Sequence, residues 1–534
     1  MKLSVDHFTD FHHAVHGKQP FAWQSRLLAQ VIVDRSWPGV LDLPTGSGKT
    51  TCIDIAVFAL ALDAQKEPTD RWCPRRIAMV VDRRIVVDQV SERGRAILRT
   101  LLAQDRSPVV AEVARLLQTL TDGEEEPLGV FTLRGGIPKD DGWARTPHQP
   151  LVLASTVDQL GSRMLVQGYG VSQSMKPVHA GLLGNDTLVL LDEVHLSQPF
   201  AQTLDALVAL RRRFATNGLP SRFQHVFLSA TPLAGSKRPF HLNEDEKAPS
   251  SPLGPRLHAR KEARLVQVAD RIALQRRCIE EARELLGRHD VVAVVVNRVA
   301  TATAIANELT KDAKAACDTV LLTGRMRPLD RDDILESLRP RIMTGRDRAN
   351  VSRKLVVVGT QCIEAGADFD FDAIVTECAS LDALRQRFGR VDRLGLYDGR
   401  AEGVIVQDKS VKDDPNYREA LIATARWLKG RLGTKRKVVD FGIMALPPPS
   451  DDVLIKLVAP RPAAPCLLPA YLDLWVQTAP APVAAPDVSL WLHGPRSGPA
   501  DVQVVWRADL SESDLEAARA RDAPLPQARE ARPR

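Results

Sequence analysis

Short apolar runs without polar alternation recur along most of this 534-residue chain. Runs rich in Val, Ile and Leu are typical of strands buried on both faces of a parallel sheet. The helical patterns between them fit the crossover connections that parallel strands need. The sequence therefore predicts an α/β protein. The clearest strand runs are Val40–Leu43, Ile77–Val81, Leu151–Ala154, Thr187–Leu191, His225–Leu228, Val291–Val296, Thr319–Leu322, Leu355–Val358 and Ala373–Val375, and the clearest helical ones are Thr50–Leu62, Ile272–Leu286 and Ala300–Leu309.

Two changes in composition interrupt this pattern. Residues 234–260 are rich in Pro, Ser and charge and have no period, which predicts a linker between two α/β domains at 1–233 and 261–440. The last 94 residues hold 15 of the 36 prolines, which disfavours long helices before about Ser511. We expect a small Pro-rich accessory region over 441–522, with apolar Leu467–Val476 and strand-like Val502–Trp506, and a disordered tail at 523–534.

The overall composition excludes several classes of protein. Lys and Arg total 72 against 66 Asp and Glu, and this mildly basic balance of +6 is compatible with a nucleic-acid partner. No apolar run approaches the ~18 residues of a membrane span, and the N-terminus lacks the apolar core of a secretory signal. Seven scattered cysteines form no CxxC pair, which disfavours a disulfide framework or a zinc site. These features predict a soluble cytoplasmic protein without a membrane partner.

A phosphate-binding turn is predicted at residues 40–51, VLDLPTGSGKTT. Glycines let backbone N–H groups turn toward phosphate at the positive end of the following helix. Lys49 can reach the β- and γ-phosphates, and Thr50 can hold Mg²⁺. Leu43 stands where the longer consensus has Gly, so the match is to the shorter form, and a Gly-rich turn without a ligand is the alternative. The predicted cradle consists of Thr45, Gly46, Ser47, Gly48, Lys49 and Thr50.

An acidic pair follows the predicted strand Thr187–Leu191, where the sequence reads Asp192-Glu193-Val194-His195. An acid at the carboxyl end of such a strand faces the crevice where doubly wound sheets bind ligands. Asp192 would hold Mg²⁺, and Glu193 would orient and deprotonate the attacking water. Adjacent acids after a strand also occur in solvated turns, but the phosphate cradle upstream favours the catalytic interpretation.

The order of these motifs resembles that of superfamily 2 helicases. After TGSGKT and DEVH come Ser229-Ala230-Thr231, GTQCIEAGADFD at 359–370 and QRFGRVDR at 386–393. The resemblance implies two tandem RecA-like domains with parallel sheets and with ATP in the cleft between them. It also implies that Arg390 and Arg393 act as arginine fingers on the γ-phosphate, although these arginines could instead lie on an exposed basic helix.

The resemblance assigns further residues to nucleotide binding and to coupling. Gln24 would read adenine, unless it is an ordinary glutamine on a helix surface, and Asp368 would join the nucleotide site. The residues that would couple nucleotide state to domain closure are His195, Ser229, Thr231 and Gln386. The residues that would contact the nucleic-acid backbone are Arg83, Arg84, Gln89, Arg134, Thr156, Gln159, Arg325, Thr360 and Gln361.

A narrower resemblance is carried by GTQCIEAGADFDFD and by the flanking stretches FHHAVHGKQPFAWQ, LRGG and LPAYLDLWVQTAPAP. These are similar to helicases of type I CRISPR systems, most like the I-U/I-G subtype. The resemblance implies an ATP-driven translocase that moves 3′→5′ on single-stranded DNA and is recruited to an RNA-guided CRISPR effector complex. An RNA helicase, or a nucleotide-gated binding subunit without processive unwinding, stays open as an alternative.

The histidine–aspartate nuclease domain that usually accompanies this family is not expected in the chain. The dipeptide His289-Asp290 lies directly before a predicted strand of the second domain. The four histidines between His7 and His16 fit an amphipathic helix better than a metal site. We therefore expect a nuclease in trans to cut the DNA.

Overall fold

The computed structural model describes residues 1–82, 84–121, 126–135, 141–214, 221–229, 239–311, 317–348, 351, 353–364, 368–397, 401–433, 437–477, 480, 482, 485–495, 511–512 and 516. The chain divides into two compact units, Met1–Pro495 and Arg496–Arg534. Of the second unit, only Ser511, Glu512 and Glu516 are described. The predicted strand at Val502–Trp506 and the predicted tail at 523–534 lie outside the described residues.

Seven parallel strands form the first sheet, in the order β3-β4-β2-β5-β6-β1-β7. They are β1 (Val40–Asp42), β2 (Arg76–Val81), β3 (Gly129–Leu133), β4 (Leu151–Thr156), β5 (Thr187–Leu191), β6 (Gln224–Ser229) and β7 (Phe240–His241). Ile77 and Met79 of β2 pack into the core on one face, and Ala78 and Val80 pack into the core on the other. Burial of both faces explains why the sequence shows apolar runs instead of alternation.

Eleven helices accompany this sheet in the described residues, and together they form the first lobe. They are α1 (Phe8–His16), α2 (Ala22–Asp34), α3 (Cys52–Ala64), α4 (Arg84–Leu102), α5 (Pro108–Gln118), α6 (Gly142–Arg145), α7 (Val157–Met164), α8 (Lys176–Asn185), α9 (Gln198–Phe214), α10 (Glu244–Lys247) and α11 (Gly254–His258). The segment 234–260, predicted as a linker, contains β7, α10 and α11. Because β7 pairs with β1, the first sheet extends to His241, beyond the predicted boundary at 233.

The second sheet has the order β10-β11-β9-β12-β13-β8-β14 and is parallel except for β14. Its strands are β8 (Lys261–Val268), β9 (Val291–Val295), β10 (Cys317–Leu322), β11 (Lys354–Gly359), β12 (Ala373–Glu377), β13 (Ala401–Asp408) and β14 (Val438–Asp440). The helices of this second lobe are α12 (Arg271–Leu286), α13 (Val299–Lys311), α14 (Pro328–Ile342), α15 (Leu381–Phe388), α16 (Ala420–Lys429) and α17 (Asp451–Leu457). The two tandem α/β lobes agree with the predicted fold class.

The Pro-rich region after residue 440 packs on both lobes. Phe441 stacks on Phe388 of the second lobe at a centroid distance of 4.2 Å. Two short helices, α18 (Pro469–Trp475) and α19 (Ser489–His493), bury Trp475 and Trp491 against the first lobe. The Oγ1 of Thr203 donates to the Trp491 carbonyl at 2.7 Å. The helices are short, as the prolines predicted.

Among the described residues, none of the helices combines the length and the apolar character that crossing a lipid bilayer requires.

Candidate nucleotide site

The predicted phosphate cradle lies at the carboxyl end of β1. The Leu43 N–H donates to the Ser229 carbonyl at 2.9 Å, so β1 and β6 stay together where the turn begins. Gly46 and Gly48 have φ values of +81° and +84°, a left-handed conformation that favours glycine. A 3₁₀ turn at Lys49–Thr51 then leads into α3. The local backbone is the strand, turn and helix start that the motif predicts.

The acidic pair lies two strands away from β1, at the end of β5. The Asp192 N–H donates to the Val80 carbonyl at 2.9 Å, which fixes the strand end. Glu193 has φ +47°, a left-handed conformation that non-glycine residues uncommonly adopt. Its Oε1 lies 3.7 Å from the Lys49 Nζ, and Lys49 also donates to the Leu43 carbonyl at 3.4 Å. The residues predicted as general base and as phosphate-binding lysine are therefore adjacent.

The two carboxyl groups have different ionisation behaviour. Burial and the neighbouring charge of Glu193 raise the pKa of Asp192 to about 6. Burial also disfavours the ionised form of Glu193. Nearby positive charges, of which Lys49 has the largest effect, outweigh burial and hold the pKa of Glu193 below its usual value. Glu193 is therefore ionised at neutral pH, as its predicted role of general base requires, and Asp192 is largely ionised there as well.

The two predicted arginine fingers face this pair from the second lobe. Arg390 donates from Nε and Nη2 to the Glu364 carbonyl at 3.1 and 3.0 Å, and Arg393 forms an ion pair with Asp368 at 2.9 Å. Burial and the charge of Arg393 lower the pKa of Arg390 to about 9. Arg390 is 5% exposed, so the alternative of an exposed basic helix is wrong for this residue.

One side-chain contact joins the coupling residues of the two lobes. The Gln386 amide lies within hydrogen-bonding distance of the His195 Nε2, and the His195 Nδ1 lies 3.3 Å from the Glu193 carboxylate. Burial lowers the pKa of His195, so its ring is neutral at neutral pH. The predicted coupling residue of the second lobe thus reaches the general base through one imidazole. Ser229 ends β6 beside the cradle, and Thr231 lies outside the described residues.

The cleft between the lobes is nearly closed. Its cavity of about 90 Å³ is lined by Thr45, Glu193, His195, Gln386 and Arg393 among others. Pockets that hold small ligands are usually of the order of 300 Å³ or more. This cavity is therefore smaller than a pocket for a whole nucleotide.

One residue that sequence reasoning missed contacts the cradle. Arg256 of α11 donates to the Gly46 carbonyl, and its guanidinium lies over the Phe21 ring at 5.1 Å. No periodicity around Arg256 indicated this position. Gln24 is 2% exposed, which excludes the surface alternative. It donates to the Gly48 carbonyl at 3.3 Å and accepts from the Phe21 N–H at 2.8 Å, so its amide holds the cradle in this structure.

The residues present fit a magnesium–nucleotide complex. Several buried polar atoms of the described residues have no hydrogen-bond partner, and those at this site include the Ser47 Oγ, the Asp192 Oδ1 and the Arg393 Nη1. Such atoms are costly unless a ligand satisfies them. Thr50 and Asp192 are the residues that would hold Mg²⁺, which would neutralise charge on the β- and γ-phosphates. No cluster of three or more His, Cys, Asp or Glu suited to a metal occurs among the described residues.

Several of the predicted nucleic-acid residues follow β3, β4, β10 and β11, which are the outer strands at one side of each sheet. In the first sheet this is the side away from β1. Arg134 follows β3, Thr156 ends β4, exposed Arg325 follows β10 and Thr360 follows β11, and Gln89 is half-buried on α4. Because the first sheet is parallel, the carboxyl ends of β3 and β4 lie on the same edge as the nucleotide cradle. Arg83 and the side chain of Arg84 lie outside the described residues.

Several of these side chains already have protein partners. Arg134 pairs with Asp88 at 2.9 Å. The Thr156 hydroxyl caps α7 by accepting from the Gln159 N–H at 3.4 Å, and the Gln159 side-chain oxygen accepts from Arg163 at 2.6 Å. The Gln361 amide donates to the Asn297 carbonyl at 3.1 Å. Their roles in nucleic-acid binding stay predictions.

Similarity to known proteins is concentrated in the second lobe. Residues 288–395, which end two residues beyond Arg393, match the Cas3-like family model described as "CRISPR-associated nuclease/helicase Cas3, C-terminal". A CRISPR-associated nuclease/helicase Cas3 from Methanothermobacter thermautotrophicus is 36% identical over 103 residues, which are 19% of this chain and 11% of that protein.

Solved structures extend the similarity of fold to both lobes. The T. fusca Cas3–ADP crystal structure has a TM-score of 0.56 at 20% identity, covering 84% of this chain and 52% of that one. The Cas3–ATP structure gives 0.56 at 18% identity with the same coverage. A CRISPR RNA-guided surveillance complex in a pre-nicking state gives 0.50 at 17%, covering 81% of this chain and 50% of that one. This chain thus spans about half the length of these structures and shares with them the fold of two RecA-like domains.

Proposed function

We propose that this chain is an ATP-dependent helicase and translocase that acts on single-stranded DNA in CRISPR RNA-guided defence. One observation carries the proposal. The general base at the end of β5 and the arginines after α15 lie on facing lobes, joined by the contact between His195 and Gln386. Such an arrangement makes hydrolysis depend on lobe closure, which is how a motor links nucleotide turnover to movement.

The roles of the residues follow from their positions. Lys49 would hold the β- and γ-phosphates after releasing Glu193, and Glu193 would orient the attacking water and accept its proton. Arg390 and Arg393 would stabilise the charge that develops on the γ-phosphate. Arg390 must then leave the Glu364 carbonyl and approach the cradle, which requires the two lobes to rearrange.

The finer identity belongs to the same proposal. The motif spelling supports the I-U/I-G subtype, 3′→5′ movement, action in the cytoplasm and recruitment to an RNA-guided effector complex. We propose that a nuclease in trans cuts the DNA that this helicase exposes. The packing of His289 supports this, because its Nδ1 contacts the Tyr397 hydroxyl at 2.9 Å and its Nε2 lies 3.6 Å from Glu402. On the basis of these contacts we assign His289 a structural role.

The test is steady-state ATP hydrolysis with no polynucleotide, with poly(dT) and with poly(U), followed by strand displacement on duplexes with a 3′ or a 5′ single-stranded tail. We expect stimulation by poly(dT) and displacement from the 3′ tail only. Lys49→Ala should abolish both, whereas Lys311→Ala, at a residue with a 74% exposed side chain, should change neither. Stimulation by poly(U) alone would favour an RNA helicase. Hydrolysis without displacement from either tail would favour a nucleotide-gated binding subunit.

A further inference from the structure

A fully buried carboxylate lies one turn after the phosphate cradle, and the proposed mechanism does not use it. Asp54 of α3 is 0% exposed. Its Oδ1 lies 2.6 Å from the His16 Nε2 of α1, and its Oδ2 accepts from the Arg93 Nε of α4 at 2.5 Å. Burial alone would raise the pKa of Asp54, but Arg93 and His16 hold it below its usual value. The carboxylate therefore stays ionised and joins three helices.

Arg93 makes a second contact that a simple ion pair does not require. Its Nη2 donates to the Thr51 Oγ1 at 2.9 Å. Thr51 directly follows Thr50, the predicted magnesium ligand, and belongs to the 3₁₀ turn that ends the cradle. One guanidinium on α4 thus fixes both the first turn of α3 and the end of the phosphate-binding loop. Two hydrogen bonds from one planar group define direction as well as distance.

The same helix contacts the predicted nucleic-acid edge. The hydroxyls of Ser91 and Thr132 lie 2.8 Å apart, and Ser91 is 1% exposed. Asp88 pairs with Arg134, which directly follows β3. Side chains within little more than one turn of α4 therefore touch the β3 edge and the cradle, so a displacement of α4 would move both.

We propose that Arg93 is a positioning residue that couples polynucleotide binding at α4 and β3 to the geometry of the phosphate cradle through Thr51. The inference rests on the proposed function, because it requires a polynucleotide at this edge. When backbone contacts draw α4 and β3 together, Arg93 would transmit the shift to Thr51 and thereby to Thr50 and Lys49. A residue that only stabilises the fold would affect the melting temperature without affecting this coupling.

The chain offers a matched pair of variants around the same carboxylate. Thr51→Val keeps the side-chain shape and the Arg93–Asp54 pair but removes the hydroxyl that accepts from Arg93. His16→Gln disturbs the other side of Asp54 and leaves Arg93 and Thr51 in contact. Thr51→Val should reduce the ratio of poly(dT)-stimulated to basal ATP hydrolysis about threefold to tenfold, a range typical of residues that modulate coupling. His16→Gln should lower the melting temperature and keep the full stimulation.

The thermodynamic coupling between nucleotide binding and poly(dT) binding is a second quantity to measure. A residue with a purely structural role would leave this coupling unchanged. By linkage, the factor by which poly(dT) tightens binding of a non-hydrolysable ATP analogue equals the factor by which the analogue tightens poly(dT) binding, and the size of this shared factor depends on Arg93 if Arg93 carries the coupling. Thr51→Val should reduce both factors equally, and Arg93→Lys, which keeps the charge but loses the two-point geometry, should do the same. If poly(dT) stimulates Thr51→Val and Arg93→Lys as strongly as the wild type, the coupling role alone is overturned. A wild-type enzyme that poly(dT) and poly(U) both fail to stimulate overturns the proposed function, and the coupling role with it.

Discussion

Replacing Arg387 with Met should destabilise the second lobe more than any surface change in it. Arg387 is 0% exposed. Its guanidinium donates to the Glu364 carboxylate at 2.8 and 2.6 Å, to the Thr376 hydroxyl at 2.7 Å and to the Glu377 carbonyl at 2.8 Å. It also donates to the Asn297 side chain and the Tyr417 hydroxyl, both at 2.9 Å. Although burial disfavours the charged form, Tyr417 and Glu364 raise the pKa of Arg387, so its charge is kept.

The expected loss of stability follows from the buried charge that the substitution leaves unpaired. Met fills much of the volume, but Glu364, which is 7% exposed, keeps a buried negative charge without a counter-ion. Removing one partner of a buried ion pair costs about 3–5 kcal/mol. With a urea dependence of about 2 kcal/mol per molar, the midpoint of the second-lobe transition should fall by about 1.5–2.5 M.

The assay is urea unfolding followed by tryptophan fluorescence, with Trp427 packed against the second-lobe core as a local reporter. Arg387→Met/Glu364→Met should recover part of the loss, because the uncompensated charge is gone. Arg327→Met, whose side chain is 78% exposed, should leave the midpoint unchanged. An Arg387→Met midpoint within 0.3 M of wild type, roughly the effect of a surface change, would refute the reasoning.

Four further predictions concern the cleft, pH, the DNA edge and the nuclease. Arg390→Ala should keep ATP affinity within a few-fold but lower turnover by about 10³-fold or more, measured by steady-state hydrolysis with poly(dT). Burial lowers the pKa of Lys261 to about 8, so the unfolded chain binds more protons than the folded one between pH 8 and about 10.4. The free energy of unfolding of wild type relative to Lys261→Met should therefore rise across that window, and a flat difference would contradict this. Arg134→Gln should weaken binding to all single-stranded DNA sequences alike and reduce the salt slope by about 0.7, the value for one lost phosphate contact. His289→Ala should leave strand displacement and strand integrity unchanged on a gel. Metal-dependent cleavage by the wild type that this variant lacks would instead indicate a nuclease within this chain.

The sequence predicted most of the strands that are buried on both faces, although β13, which is also largely buried, was missed. Runs such as Val291–Val296 form strands because alternate side chains enter two cores, which leaves an unbroken apolar signal. In contrast, β8 (KEARLVQV) was missed, because most of its residues are only half-buried and charged residues interrupt the run. The short strand β7 was missed because two residues have no detectable period.

In the candidate site, features encoded by neighbouring residues were predictable, and features that depend on tertiary contacts were not. The cradle and the acidic pair were predictable, because strand, turn and helix start are encoded by neighbouring residues. Arg256 and the burial of Gln24 were not predictable, because both depend on contacts between elements that are distant or irregular in sequence. The network around Arg387 also joins residues up to 90 positions apart. No pattern within α15 distinguishes this buried arginine from an exposed one.

The central claim is that Glu193 is the general base of an ATP-hydrolysing cleft. Glu193→Gln keeps the shape and the hydrogen-bonding capacity of the side chain but cannot accept the proton. Steady-state hydrolysis with saturating poly(dT) should fall by about 10²–10⁴-fold, while ATP binding measured by calorimetry should be retained. Turnover of Glu193→Gln near the wild-type rate would contradict the assignment of this site.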